Sequence, residues 1–279
     1  MTIDPKLPIF DGHNDALQSI YLPKSGKARS FFERTGEGHI DLPRMREGGF
    51  SGGFFAVFVR SNSSTGGFPG AMPDSAATAY EIPLPAPLDL TYARAITIKG
   101  MASLFRLEAE SEDQIKVIRT AAELTAALDR EVIAAVLHFE GAEAIDPDLD
   151  ALEVFYQAGL RSLGLTWSRP NVFAQGVPFK FPASPDTGPG LSEAGRQLVR
   201  ACNRLGILID LAHITEQGFW DTAGISHAPL AVTHTGAHAL CPSTRNLTDK
   251  QLDAIKDTDG VVGVNFHVGF LREDGRREP

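Results

Sequence analysis

Histidine and carboxylate residues recur beside the ends of apolar runs in this sequence. Residues 7–15 read LPIFDGHND and set His13 and Asp15 at i and i+2 after an apolar run. In a strand those two positions share a face, so two metal-capable side chains project together. The run EVIAAVLHFEG (131–141) carries His138 and Glu140 at the same spacing, GILIDLAH (206–213) ends on His213, and PLAVTHT (229–235) contains His234. Imidazole nitrogen and carboxylate oxygen are donors that bind Zn²⁺. Several imidazoles with an Asp and a Glu suit two metal ions sharing a carboxylate, a pair that activates water and clamps an oxyanion. Taken singly, a strand-end His is more often a hydrogen-bonded structural residue, and Asp15 also reads as a cap for the helix begun by ALQSI. Recurrence at separate strand ends is what favours a site. His138 shares a face with Glu140 and is not counted as a ligand, while His39, His227, His238 and His267 read as surface or loop residues.

These residues need a scaffold that gathers distant strand ends. Apolar runs at 7–10, 52–60, 131–141, 160–167, 206–213, 229–235 and 260–266 mostly lack polar alternation, as strands of a parallel sheet buried on both faces do. Helical patterns lie between them. Leu198, Val199, Cys202 and Leu205 share one face before Gly206, and Thr120/Glu123 and Thr248/Gln251 have capping-box spacing. DLDALEVFYQAGL is another helix that ends at a glycine. This alternation predicts a (β/α)8 TIM-type barrel spanning residues 1–279 as one domain. Two long loops, 61–90 and 168–190, fall on the side of the strands where barrels carry their chemistry. The last legible strand ends near Phe266, so either the barrel is open or this chain is shorter than the fold it belongs to.

Composition excludes several classes. The net charge is −9 with no basic block, which argues against nucleic acid. Cys202 and Cys241 build neither a disulfide framework nor a four-cysteine zinc site and read as small buried residues. No signal-peptide pattern opens the chain and no apolar run spans a bilayer, so the expected place is the cytoplasm. GFSGG (49–53) matches G-x-S-x-G, but the strand follows the serine instead of preceding it, so Ser51 reads as a turn residue.

Taken together, DGHND, HFEGAEAI, LIDLAHIT, VTHTGAHALCPSTRNLTDKQLDAI and GVVGVNF resemble, in order, the membrane (renal-type) dipeptidase family of the amidohydrolase superfamily. The resemblance implies a dipeptidase with two Zn²⁺ ions and a bridging hydroxide. It implies His13 and Asp15 on one zinc, Glu140 bridging both, and His213 and His234 on the other. Arg245 in STRN would bind the terminal carboxylate of a small dipeptide, plausibly L-Xaa-D-Xaa, a role suited to the planar guanidinium fork. A homodimer is compatible with the family. In LTWSRPN, Trp167 stands where the family's well-studied members carry a His that polarises the scissile carbonyl, with Asn171 or Gln175 as substitute donors. The family's last strand also bears an Asp that manages a proton, and no counterpart is legible here, so the resemblance implies a barrel truncated at its C-terminus, without the eighth strand and its helix, poorly stable and nearly inactive alone. The alternatives are an amidohydrolase acting on another amide, ester or lactam, and a truncated, non-catalytic metal-binding barrel.

Overall fold

The computed structural model describes residues 8–23, 29–61 and 74–277. Leu7 and much of the first long loop, residues 62–73, fall outside that range, as does the extreme N-terminus.

Strands β1 (Ile9–Asn14), β2 (Phe50–Phe58), β5 (Ile133–Glu140), β6 (Leu160–Gly164), β8 (Leu208–Asp210), β9 (Ala231–Thr235) and β10 (Val261–Val264) follow one another as parallel neighbours. A short strand, β4 (Ile115–Val117), pairs with the first half of β5. β6 takes over the same edge of β5 from Leu137 onward. The result is a nearly closed α/β barrel of the TIM type. Two further strands, β3 (Tyr80–Ile82) and β7 (Phe179–Phe181), form a small antiparallel pair. The sequence pattern does not signal the three-residue strands β3, β4 and β7, whereas β8 (Leu208–Asp210), equally short, is signalled by the longer apolar run 206–213 around it.

β5 shows why the apolar runs lack alternation. All eight of its residues are buried. Ile133, Ala135, Leu137 and Phe139 enter the main core, whereas Ala134 and Val136 join a separate cluster with Phe54. His138 and Glu140 continue that second face. The helices cover the outer side. α6 (Glu193–Leu205) is capped by the Ser192 hydroxyl, which accepts from Gly195 N at 3.0 Å, and it stops at Gly206 in the left-handed conformation, φ 72°. It buries Leu198, Val199 and Cys202. Each fully buried apolar side chain of that size contributes about 1.5–3 kcal/mol. The capping box of α4 (Ala121–Asp129) forms as its spacing predicts, between Thr120 and Glu123. Both cysteines are buried and free.

Three local readings change. Ser51 lies inside β2, its hydroxyl donating to Ile9 O at 3.1 Å, because the strand starts at Phe50. β8 ends at Asp210, not at residue 213, because His213 adopts φ 66°, which no strand accommodates. β10 is not buried on both faces: Val261 and Val264 are exposed, since it pairs only with β9 among the described residues. β1 likewise has β2 as its one ladder partner among the described residues. Gly12 and Gly263 nevertheless flank the Thr233 carbonyl, and a Cβ at either would collide with that oxygen. The glycine of DGHND thus lets β1 lie directly against β9, and the rings of His13 and His234 come to 4.1 Å.

Candidate metal centre

At the C-terminal ends of the strands a cleft of about 890 Å³ opens. His13, Asp15, Glu140, His213, His234 and Arg245 all line it. Each is presented differently. His13 comes from β1, whose end is shaped by Asp11 and Asn14: Asn14 Nδ2 donates to Asp11 Oδ2 at 2.9 Å, and Asn14 Oδ1 accepts from Ala16 N at 3.3 Å. Asp15 lies just past the strand and is exposed. It accepts from Gln18 Nε2, and Gln18 Oε1 accepts from Arg60 Nε at 2.8 Å. Its side chain does not cap the short helix α1 (Gln18–Tyr21). Glu140 closes β5 and His234 sits in β9. His213 is held on a left-handed turn, a conformation costing about 1–3 kcal/mol for a non-glycine residue and concentrated at functional sites.

Glu140 is the centre of the group. Its Oε2 lies 3.6 Å from His13 Nε2, while its Oε1 lies 3.2 Å from His213 Nε2 and 3.9 Å from His234 Nε2. The carboxylate is divided between one imidazole on one side and two on the other. The Nε2 atoms of His213 and His234 are 3.0 Å apart. Ligand atoms of His13, Glu140 and His234 fall within 4.8 Å of one another.

Electrostatics follow from burial. Desolvation, with Asp15, Asp210 and Glu143 adding to it and Arg245 opposing, pushes the Glu140 carboxyl well above its ordinary range. Burial, then the charges of Arg245 and the neighbouring histidines, holds His213 well below its usual value; His234 is lowered in the same way. Arg245 is lowered by burial to about 10 and stays a cation at neutral pH. Neutral imidazoles offer lone pairs, and His13 Nδ1 is buried with no hydrogen-bond partner. A donor set of imidazoles around a carboxylate that burial drives toward neutrality fits a divalent cation, which takes the lone pairs and restores the anion.

The remaining sequence candidates separate. Arg245 is buried, its Nη2 donates to His234 O at 3.2 Å, and its Nε has no partner. His138 is fully buried, with Nδ1 paired to Ser162 Oγ at 2.9 Å and the ring edge-on to His13. His39 and His267 are exposed but line the cleft, whereas His227 is exposed elsewhere and His238 pairs with Ala183 O. Trp167 is buried behind His213, packed on Phe58 (centroids 4.9 Å), Phe179 (5.8 Å) and His213 itself (6.0 Å), and it is not among the residues lining the cleft. Asn171 uses its side chain in its own loop, donating to Leu165 O and accepting from Phe173 N and Ala174 N. The sequence reading missed Phe179 and Phe270 on the cleft wall, and Asp210, Thr233 and Ser168 behind the histidines. No spacing rule marks them, since loops and neighbouring strands bring them together.

The family description "Membrane dipeptidase (Peptidase family M19)" matches residues 2–278. The chain belongs to this family. It is thereby a hydrolase among metallo-dipeptidases. It is 40% identical over 278 residues to an uncharacterised protein of Acinetobacter calcoaceticus, covering 97% of this chain and 84% of that protein. It is 48% identical to an uncharacterised protein of Klebsiella pneumoniae over 64% of this chain and 66% of the other. Among solved structures, a Rhodobacter sphaeroides metallo peptidase liganded with a phosphinate mimic of L-Ala-D-Ala superposes with a TM-score of 0.91 at 47% identity. That superposition covers 98% of this chain and 78% of the Rhodobacter one. Among the described residues of this family member, no helix is long and apolar enough to cross a membrane.

Proposed function

We propose that this M19 chain hydrolyses the amide bond of dipeptides, with two zinc ions held at the strand ends. The observation that carries the reading is the division of Glu140, whose Oε2 faces His13 and whose Oε1 faces His213 and His234. His13 and Asp15 would hold one ion, His213 and His234 the other, and Glu140 would ligate both. Bound there, the ions would supply Lewis acidity toward a carbonyl oxygen and would lower the pKa of water.

The chain's own residues provide the rest. The Arg245 guanidinium lines the cleft, donates from Nη2 to His234 O and has an unpartnered Nε, so a substrate carboxylate would complete its hydrogen bonding. Phe179 and Phe270, stacked at 6.2 Å, form an apolar wall beside it. The cleft is within the range of small-molecule sites, about 300–1,000 Å³. Preference for L-Xaa-D-Xaa is supported by the L-Ala-D-Ala mimic in the similar Rhodobacter structure.

The test is turnover of a dipeptide panel that includes L-Ala-D-Ala by zinc-loaded protein and by chelator-stripped protein. Hydrolysis by the loaded form alone supports the reading. Two bound zinc ions with no dipeptide cleaved would refute it and favour the other amides, esters or lactams.

A further inference from the structure

Behind His234 lies a second buried acid that the proposed ligand set does not use. Asp210, at the end of β8, is 1% exposed. Its Oδ1 accepts from Ala212 N at 3.0 Å and Thr233 N at 2.8 Å, and its Oδ2 accepts from Thr233 Oγ1 at 2.7 Å. The same Thr233 hydroxyl meets His234 Nδ1 at 2.9 Å. On the far side, His138 Nε2 stands 3.6 Å from Asp210 Oδ2 and has no hydrogen-bond partner.

Counting donors along this chain fixes its polarity. A carboxylate only accepts, so the single hydroxyl proton of Thr233 points at Asp210. The hydroxyl oxygen then faces Nδ1 with a lone pair, and the contact forms only if Nδ1 carries the imidazole proton. A neutral imidazole has one N–H, so Nε2 is left bare. Nε2 is the atom that faces Glu140 and His213. The order is therefore Nδ1–H to Thr233, and Thr233 O–H to Asp210.

We propose that Asp210, acting through the Thr233 hydroxyl, is a positioning residue that holds His234 as the Nδ1–H tautomer and aims its Nε2 lone pair at the metal. This rests on His234 being a ligand. The relay does two jobs: it selects the tautomer, and it stops the ring from rotating about χ2. Its loss is expected to weaken metal binding about 10–100-fold, the usual effect of removing an outer partner from a metal-binding His. Thr233→Val removes the hydroxyl at nearly constant volume, and Thr233→Ser retains it.

The experiment measures Zn²⁺ affinity of the full chain by competition with a chromophoric chelator, for wild type, His234→Ala, Thr233→Val and Thr233→Ser. The expected result is a 10–100-fold loss for Thr233→Val, with Thr233→Ser close to wild type. If His234→Ala weakens binding and Thr233→Val does not, the relay is refuted while the ligand reading stands. If His234→Ala binds as tightly as wild type, the ligand reading itself fails, and the relay with it. A second measurement needs no variant: long-range ¹H–¹⁵N correlation on metal-free wild type reports the His234 tautomer. Protonation at Nδ1 supports the relay, and protonation at Nε2 overturns it.

Discussion

Replacing Arg245 by methionine tests the substrate end of the site. Methionine keeps an unbranched stem of similar reach and removes the guanidinium. The guanidinium spends one N–H on His234 O and has no partner at Nε. A substrate carboxylate meeting it through two charge-assisted hydrogen bonds gains about 1.5–3 kcal/mol from each, or about 3–6 kcal/mol in all. In kcat/KM that is roughly 10²–10⁴-fold. Arg245 also lowers Glu140 electrostatically and lies among the imidazoles, so its removal disturbs the metal site as well. A cycle separates the two effects. Wild type and Arg245→Met are each assayed on a dipeptide and on the same dipeptide capped as its C-terminal amide. Disturbance of the metal site lowers both substrates alike, whereas carboxylate recognition lowers only the free acid. The expected coupling is at least about 2 kcal/mol, or roughly 30-fold. Wild type that cleaves the capped and free substrates at equal rates would refute the assignment.

Trp167→His, which installs the side chain that the family resemblance leads one to expect, should lower stability by about 2–4 kcal/mol through the cavity left among Phe58, Phe179 and His213. It should not raise dipeptidase activity, because the indole is not on the cleft wall; a faster variant would contradict that placement. Zn²⁺ should raise the Tm of wild type more than that of His234→Ala. Saturation at 1,000 times Kd is worth about 4 kcal/mol, and equal shifts in a thermal melt would argue against His234 as a ligand. Away from the cleft, Asp41 caps α2 (Leu42–Glu47). Burial pulls its carboxyl upward, but hydrogen bonds from Arg44 and Thr35, with the Arg44 charge, hold it below its ordinary value. Its stabilisation is therefore present at neutral pH and is lost as pH falls below about 4, through the folded value. Asp41→Ala should cost about 1–3 kcal/mol at pH 7 and much less under acid, read by denaturant melts at both pH values.

The barrel was legible wherever strands were long. β2 and β5 stand out because both faces are buried and their apolar runs are unbroken. The proposed ligands were legible for a related reason, as each is a polar residue in or shortly after an apolar run. His213 shows the limit of that rule: the run continues to it, but the chain leaves the strand after Asp210 to present the ring from a turn. Asp210 and Thr233 were invisible because their meaning is pairwise. An Asp three residues before one His and a Thr before another carry no signal until β8 and β9 lie side by side. Trp167 was legible only as an oddity of position, and its burial behind His213 depends on the loop that brings Phe179 across.

Under the proposed function, Glu140 stands between two cations. Anomalous diffraction at the zinc edge, on crystals of the zinc-loaded chain, tests it most directly. Two peaks are expected at the strand ends, one on the His13 side of Glu140 and one on the side of His213 and His234. A single peak there, or zinc bound only elsewhere, would contradict it.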